Sequence, residues 1–229
     1  MSRSDGVLTA ALLPVKNPAN AKQRLAGLFT ASEREGLARV MFARTLRVLC
    51  GCQEFDRVIV LAQQAELLDA ARRQGADAWS EGSQVSHSDS ANAAAGKAAA
   101  EGIARLLLCP IDVPLVERRD VEAILEASFG LGTPSFVIAP SADDTGTNAL
   151  ACSPPGVVPA RFGPGSRKIH ETAARERNVP SLLHRSTAWR HDLDTPADMR
   201  RLYELGLSGE VRQFLDGIGA DDRLRRTHA

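Results

Sequence analysis

Short apolar runs alternate along the chain with longer stretches in which apolar residues recur every three or four positions. "VLTAALLPV" (7–15), "RVIVLA" (57–62) and "LLLCPID" (106–112) have strand length and are apolar on both faces, as strands buried in a parallel sheet are. "SEREGLARVMFARTLRVL" (32–49) repeats Leu37, Val40, Met41, Ala43, Leu46 and Leu49 at helical spacing, and Ser32 with Glu35 has the form of a capping box. "QAELLDAARRQG" predicts a second helix closing at Gly75, and "ERRDVEAILEAS", "RKIHETAARERN" and "ADMRRLYELG" predict three more. "SFVIAPS", "NALACS" and "STAWRHDLD" are further strand candidates. Strands alternating with helices imply parallel βαβ units, hence an α/β three-layer sandwich. The two close strands between 135 and 152 make the sheet mixed, with an antiparallel portion.

Segment 80–102 is rich in Ser, Gly and Ala: its first half has loop chemistry, and its second predicts a helix of small residues. After Gly206 the tail predicts one short helix and a frayed, polar end. No internal repeat is present. The expectation is one domain over 1–229, with a core from about 7 to 206 and a C-terminal extension over 207–229.

Composition narrows the function classes. The chain has 229 residues, within the range of one large α/β domain, and 28 basic residues balance 28 acidic ones. That balance argues against coating nucleic acid or binding a membrane through basic charge. No apolar run approaches the roughly 20 residues that span a bilayer. Pro14 and Lys16 break the N-terminal apolar stretch, so no secretory signal is expected and the location expected is cytoplasmic. The four cysteines (Cys50, Cys52, Cys109, Cys152) lack zinc spacing and are expected to be reduced structural thiols. His87, His170, His184, His191 and His228 show no metal-ligand spacing and are expected to be ordinary surface or partly buried residues. Nothing marks a serine or cysteine nucleophile. A two-fold homodimer is the expected assembly by frequency alone.

Four stretches can carry chemistry. "PVKNPANAKQRLAGL" (14–28) follows the first strand, where ligands sit in doubly wound folds, and places Lys16, Lys22 and Arg24 within nine residues. Such a loop suits a triphosphate, or is simply a solvated basic loop. It is neither a P-loop nor a dinucleotide fingerprint. "LLLCPIDVPLV" ends a strand at Asp112 between two prolines, which suits a metal ligand or an amide-bonding turn. In "HDLDTPADM", period-two geometry puts Asp192 and Asp194 on one strand face, where their repulsion calls for a cation or a proton between them, and hard oxygen ligands favour Mg²⁺. Thr195, Pro196 and Asp198 are a helix start. Last, "DDTGTNAL" and "RFGPGSRKIH" offer hydroxyls and amides, with Ser166 able to cap the following helix and suit an anion there. A Gly-Pro-Gly loop can equally be only a turn.

Together "PVKNPANAKQRL", "CPIDVPL", "TGTNAL", "RFGPGS" and "DLDTPADM" resemble the guanylyltransferases of coenzyme F-420 biosynthesis, in that family's order and from about Val7 to Gly206. The resemblance implies a nucleotidyltransferase fold like that of nucleotide-diphospho-sugar transferases. It also implies transfer of GMP from GTP to a phosphorylated three-carbon acid: 2-phospho-L-lactate, phosphoenolpyruvate or 3-phospho-D-glycerate, with the first the least expected. By the same resemblance Asp112, Asp192 and Asp194 would hold Mg²⁺, and Thr147, Gly163 and Ser166 would grip the acid. Lys16, Lys22 and Arg24 would face the GTP phosphates, and Asp89 and Asn92 would line the nucleotide pocket. The chain departs from the family at Ala91, where relatives carry Leu, and in "SADD" before the Thr-Gly-Thr segment. Other readings are a nucleotidyltransferase for molybdopterin or a sugar phosphate, which usually carries Gly-x-Gly-x-Arg after the first strand, and a non-catalytic nucleotide-binding regulator.

Overall fold

The computed structural model describes residues 6–82 and 86–226. The first apolar run becomes β1 (Leu8–Val15), buried at every position after Leu8, so it needs strands on both edges and helices on both faces. β2 (Arg57–Ala62) and β4 (Ile103–Leu108) flank it in parallel, and β3 (Asp77–Ser80) adds outside β2. β6 (Thr147–Ser153) runs antiparallel to β4 and to β5 (Ser135–Pro140), and β7 (Ser181–Leu183) closes the far edge parallel to β5. The order is β3-β2-β1-β4-β6-β5-β7, so β6 is the one reversed strand of a mostly parallel mixed sheet.

Alternation along the strands divides the core between two helical layers. Ala11, Leu13 and Val15 pack with Leu46 of α1 (Ala31–Cys50), Leu68 of α2 (Ala65–Arg73) and Ile124 of α4 (Arg118–Leu131). Ala10 and Leu12 face the opposite layer, α3 (His87–Ala100) and α5 (Ser166–Glu176), where Ala91, Ala94, Ala95 and Ala98 give α3 a narrow buried face. A third cluster wraps the outer side of α1. There Leu37 and Met41 meet Leu202 of α7 (Pro196–Glu204), Leu215 of α8 (Gly209–Gly217) and Leu224 of α9 (Ala220–Arg226). Each of these buried leucines contributes about 1.5–3 kcal/mol. The C-terminal extension is therefore part of the core, and it supplies two helices instead of the one expected. Its last residues, 227–229, lie outside the described residues.

The local chemistry corrects three further expectations. The α1 capping box is made by Thr30 and Glu33, not Ser32 and Glu35: Thr30 is still extended (ψ 165), Thr30 N–H donates to Glu33 at 2.8 Å, and Ser32 is already helical. β4 ends at Leu108, so Asp112 stands in the following turn and not on the strand. "STAWRHDLD" is not a strand. It forms α6 (Thr187–Arg190) and then an irregular stretch, because Asn148 takes the carbonyls of Trp189 (2.9 Å) and Arg190 (3.2 Å) that a neighbouring strand would use. Trp189 is fully buried there, with its indole N–H donating to the Asp120 carbonyl at 3.0 Å.

Candidate active site

The loops after β1 and β4 emerge on the same side of the sheet, where parallel strands end. After β1 the Asn17 side chain caps a 3-10 turn, Pro18–Asn20, and Lys22 begins a second, Gln23–Leu25. Lys22 adopts a left-handed backbone (φ 54, ψ 39), which costs a non-glycine residue about 1 kcal/mol. That conformation accompanies an inward side chain, 3% exposed, whose ammonium bonds Asp194 at 2.9 Å and also bonds Asp112. Burial alone would lower the Lys22 pKa; the charges and hydrogen bonds of the two carboxylates outweigh it and raise the value. The acidic segments are also joined through the backbone, Leu193 N–H donating to the Asp112 carbonyl at 2.9 Å.

Two adjacent cavities meet at Asp112 and His87. The first, about 330 Å³, is lined by Lys16, Asn17, Asn20, Lys22 and Asp194. The second, about 200 Å³, is lined by Thr147, Asn148, Phe162 and Asp192. Asp192 and Asp194 therefore border different cavities instead of sharing one strand face. Burial, and then the Asp194 charge, push the Asp192 carboxyl up to about 6. Just beyond, Thr195, Pro196 and Asp198 start α7 as expected, Thr195 and Asp198 closing a capping box, and Asp194 N–H also donates to Asp198, at 3.1 Å.

Among the described residues no three Asp, Glu, His or Cys side chains converge as a metal-binding group. Asp112 and Asp194 do converge on one cation, the Lys22 ammonium, with side chains 37% and 39% exposed. Two carboxylates with solvent-facing oxygens fit Mg²⁺, which keeps waters and takes substrate phosphates as its other ligands. Asp192 borders that pair without joining it.

The remaining expected residues are placed as follows. Lys16 is exposed on the larger cavity, whereas the exposed Arg24 borders neither one. Thr147 opens β6 and lines the smaller cavity. Gly163 (φ 129) holds a backbone that favours glycine, next to the cavity residue Phe162. Ser166 is buried at the first position of α5, whose N-cap is Gly165; the Ser166 side chain does not make the cap expected of it. Asp89 lies on the exposed first turn of α3, accepting from the Ser86 hydroxyl at 2.7 Å. Asn92 clamps the backbone of Ala160 in both directions, at 3.0 and 2.8 Å, so its amide is committed to the loop before Gly163.

His87 and His170 were not expected here. His87 borders both cavities and packs on Phe162, ring centroids 4.8 Å apart; burial lowers its pKa, helped by the Lys16 charge. His170 is fully buried beneath Thr147. Its only signal in the sequence is spacing: Ser166, His170 and Ala174 recur every four residues as one inward stripe of α5.

This sheet, with a basic loop after β1 and carboxylates after β4 and before α7, is that of a nucleotidyltransferase. A solved structure described as a "putative nucleotide-diphospho-sugar transferase" from Desulfovibrio desulfuricans matches the fold with a TM-score of 0.78 over 95% of this chain and 97% of its own, at 19% identity. The chain belongs to the family described as "Guanylyl transferase CofC like", whose model matches residues 9–229 and so includes the C-terminal helices. These are the guanylyltransferases of coenzyme F-420 biosynthesis, and the chain is an enzyme of that kind. It is 37% identical over 86% of its length to a phosphoenolpyruvate guanylyltransferase of Rubrobacter xylanophilus, covering 94% of that protein. It is 30% identical over 90% of its length to a 2-phospho-L-lactate guanylyltransferase of Methanothermobacter thermautotrophicus, covering 89% of that one.

Proposed function

We propose that this chain transfers GMP from GTP to a phosphorylated three-carbon acid, with phosphoenolpyruvate the favoured acceptor, and releases pyrophosphate. The observation that carries the reading is the pair of cavities meeting at Asp112: one faces the basic loop, the other faces Thr147. The triphosphate belongs in the first, against Lys16. The acid belongs in the second, where its phosphate would approach the α-phosphorus beside Asp112. A phosphate oxygen is already a competent nucleophile near neutral pH, so the site needs no general base. Its work is to hold two anions in line and to offset their charge.

Mg²⁺, held by Asp112 and Asp194 with Asp192 close by, would supply the charge neutralisation that carboxylates cannot. Lys22 keeps those two carboxylates together and oriented. Phosphoenolpyruvate is favoured because the Rubrobacter relative carries that name at 37% identity. 3-Phospho-D-glycerate and 2-phospho-L-lactate present the same phosphate and carboxylate.

The test is pyrophosphate release from GTP and Mg²⁺ with each of the three acids in turn. The expected outcome is the highest kcat/KM with phosphoenolpyruvate. A different preferred acid overturns the acceptor assignment, and folded protein inactive with all three overturns the reaction.

A further inference from the structure

The two ring nitrogens of His170 have different and unequal partners. Nε2 accepts from the main-chain N–H of Arg161 at 2.8 Å. A peptide N–H can only donate, so Nε2 carries no proton, and the single proton of a neutral imidazole sits on Nδ1. Nδ1 lies 3.0 Å from the Thr147 hydroxyl oxygen. In that contact the ring donates and the hydroxyl accepts. The hydroxyl's own proton is then left for a different acceptor. Phe136 and Phe162 hold the ring edge-on, each with centroids 5.9 Å away, and burial lowers the His170 pKa to about 4. The ring is thus fixed, neutral and of one tautomer near neutral pH.

We propose that His170 is a positioning residue that commits the Thr147 hydroxyl to donate into the smaller cavity, towards an oxygen of the anionic acid; this rests on the acid-binding reading given above. A threonine hydroxyl can donate or accept, and only the donating state helps an anion. By filling the accepting role from below, His170 removes the unproductive orientation before the acid arrives. The connection also ties the loop before Gly163 to the start of β6. The Arg161 N–H sets the tautomer, and the tautomer sets the hydroxyl.

Two measurements test this. In long-range proton–nitrogen spectra of protein labelled at its histidines, one of the five rings is expected to carry its proton on Nδ1, and its signals are expected to vanish in His170→Phe. In kinetics, His170→Phe is expected to raise the KM for the acid about tenfold and leave the KM for GTP within about twofold. His170→Gln, whose amide can accept from Arg161 and donate to Thr147, is expected to restore most of the loss. Adding His170→Phe to Thr147→Val is expected to change little further, because both remove the same bond.

A proton on Nε2 overturns the proposal, as do equal effects on both KM values or additive effects in the double variant. Should His170→Phe fail to fold, the wild-type tautomer and the kinetics of His170→Gln decide. Wild-type protein inactive with every acid defeats the functional reading itself. Active wild type with an unchanged acid KM in folded His170→Phe defeats only the role of His170.

Discussion

The two ends of the cleft are built from different forces. At the β1 end, Lys22, Asp112 and Asp194 come from distant parts of the chain and are joined by charge, with carboxylates more than a third exposed. At the β6 end, Thr147, His170, Arg161, Asn92 and Ala160 are joined by uncharged hydrogen bonds, three of the four to the backbone. A charged cluster can release one cation and accept another without unfolding, because water reaches its oxygens. A neutral network cannot rearrange so cheaply, since each buried donor or acceptor left unpaired costs about 1–3 kcal/mol. The first end suits a charge that arrives and leaves each turnover. The second suits a fixed shape that recognises one small acid.

The sharpest break between the two is expected at Asp194. Asp194→Asn keeps the side chain's size and an oxygen for the Lys22 ammonium, and removes only the charge. Turnover is expected to fall about 10³-fold, on the order of losing one strong electrostatic contact in the transition state. The melting temperature is expected to move little, because the Asp194 side chain is partly exposed and the buried Lys22 ammonium keeps Asp112 and the new amide oxygen as partners. Steady-state kinetics with a parallel thermal melt checks this. Retained turnover would mean that Asp194 serves only to hold Lys22.

Legibility in the sequence divides along the same line. Strands β1, β2 and β4 were visible because their segments 10–15, 58–62 and 106–108 are buried on both faces and form apolar runs. The edge strands β3 and β7, of four and three residues, are too short for any period to emerge. "STAWRHDLD" has the length of a strand, but the burial of Trp189 and the reach of Asn148 are long-range facts that no local pattern carries. The carboxylates at 112 and 194 were legible as a pair only through resemblance to a family. The inward turn of Lys22 depends on a left-handed backbone, for which lysine has no signature. His170 left a stripe, but a stripe marks burial and says nothing about a tautomer.

A milder effect is expected at the neutral end. Asn92→Ala leaves the Ala160 N–H and carbonyl without their partners. The expected loss is about 2 kcal/mol of stability, since both groups belong to one part-buried clamp. The same change loosens the loop that carries Arg161 and Gly163, so the acid KM is expected to rise severalfold while the GTP KM holds. Denaturant unfolding and the two KM values measure this together. An unchanged acid KM would show that the loop's position does not depend on its tie to α3.

The smallest effect expected is one of pH on stability, and its sign is fixed by the direction of the His170 shift. The folded pKa of about 4 lies below the usual histidine value of about 6.5, so the unfolded chain binds more protons between the two. Stability from this group is full above about 6.5 and is lost as pH falls towards 4. From pH 7 to 5.5 the loss amounts to about 1 kcal/mol. His87, His184 and His191 are shifted the same way, mainly by burial, and add to the trend. Asp192 opposes it, because a carboxyl raised to about 6 stabilises the fold as it protonates. The wild-type slope therefore mixes several groups, and the informative quantity is a difference. Wild type is expected to lose about 1 kcal/mol more than His170→Gln over this pH interval, measured by denaturant unfolding at both ends. Equal losses would mean that His170 titrates as it does in the unfolded chain, and that the neutral end of the cleft is not held as rigidly as its hydrogen bonds indicate.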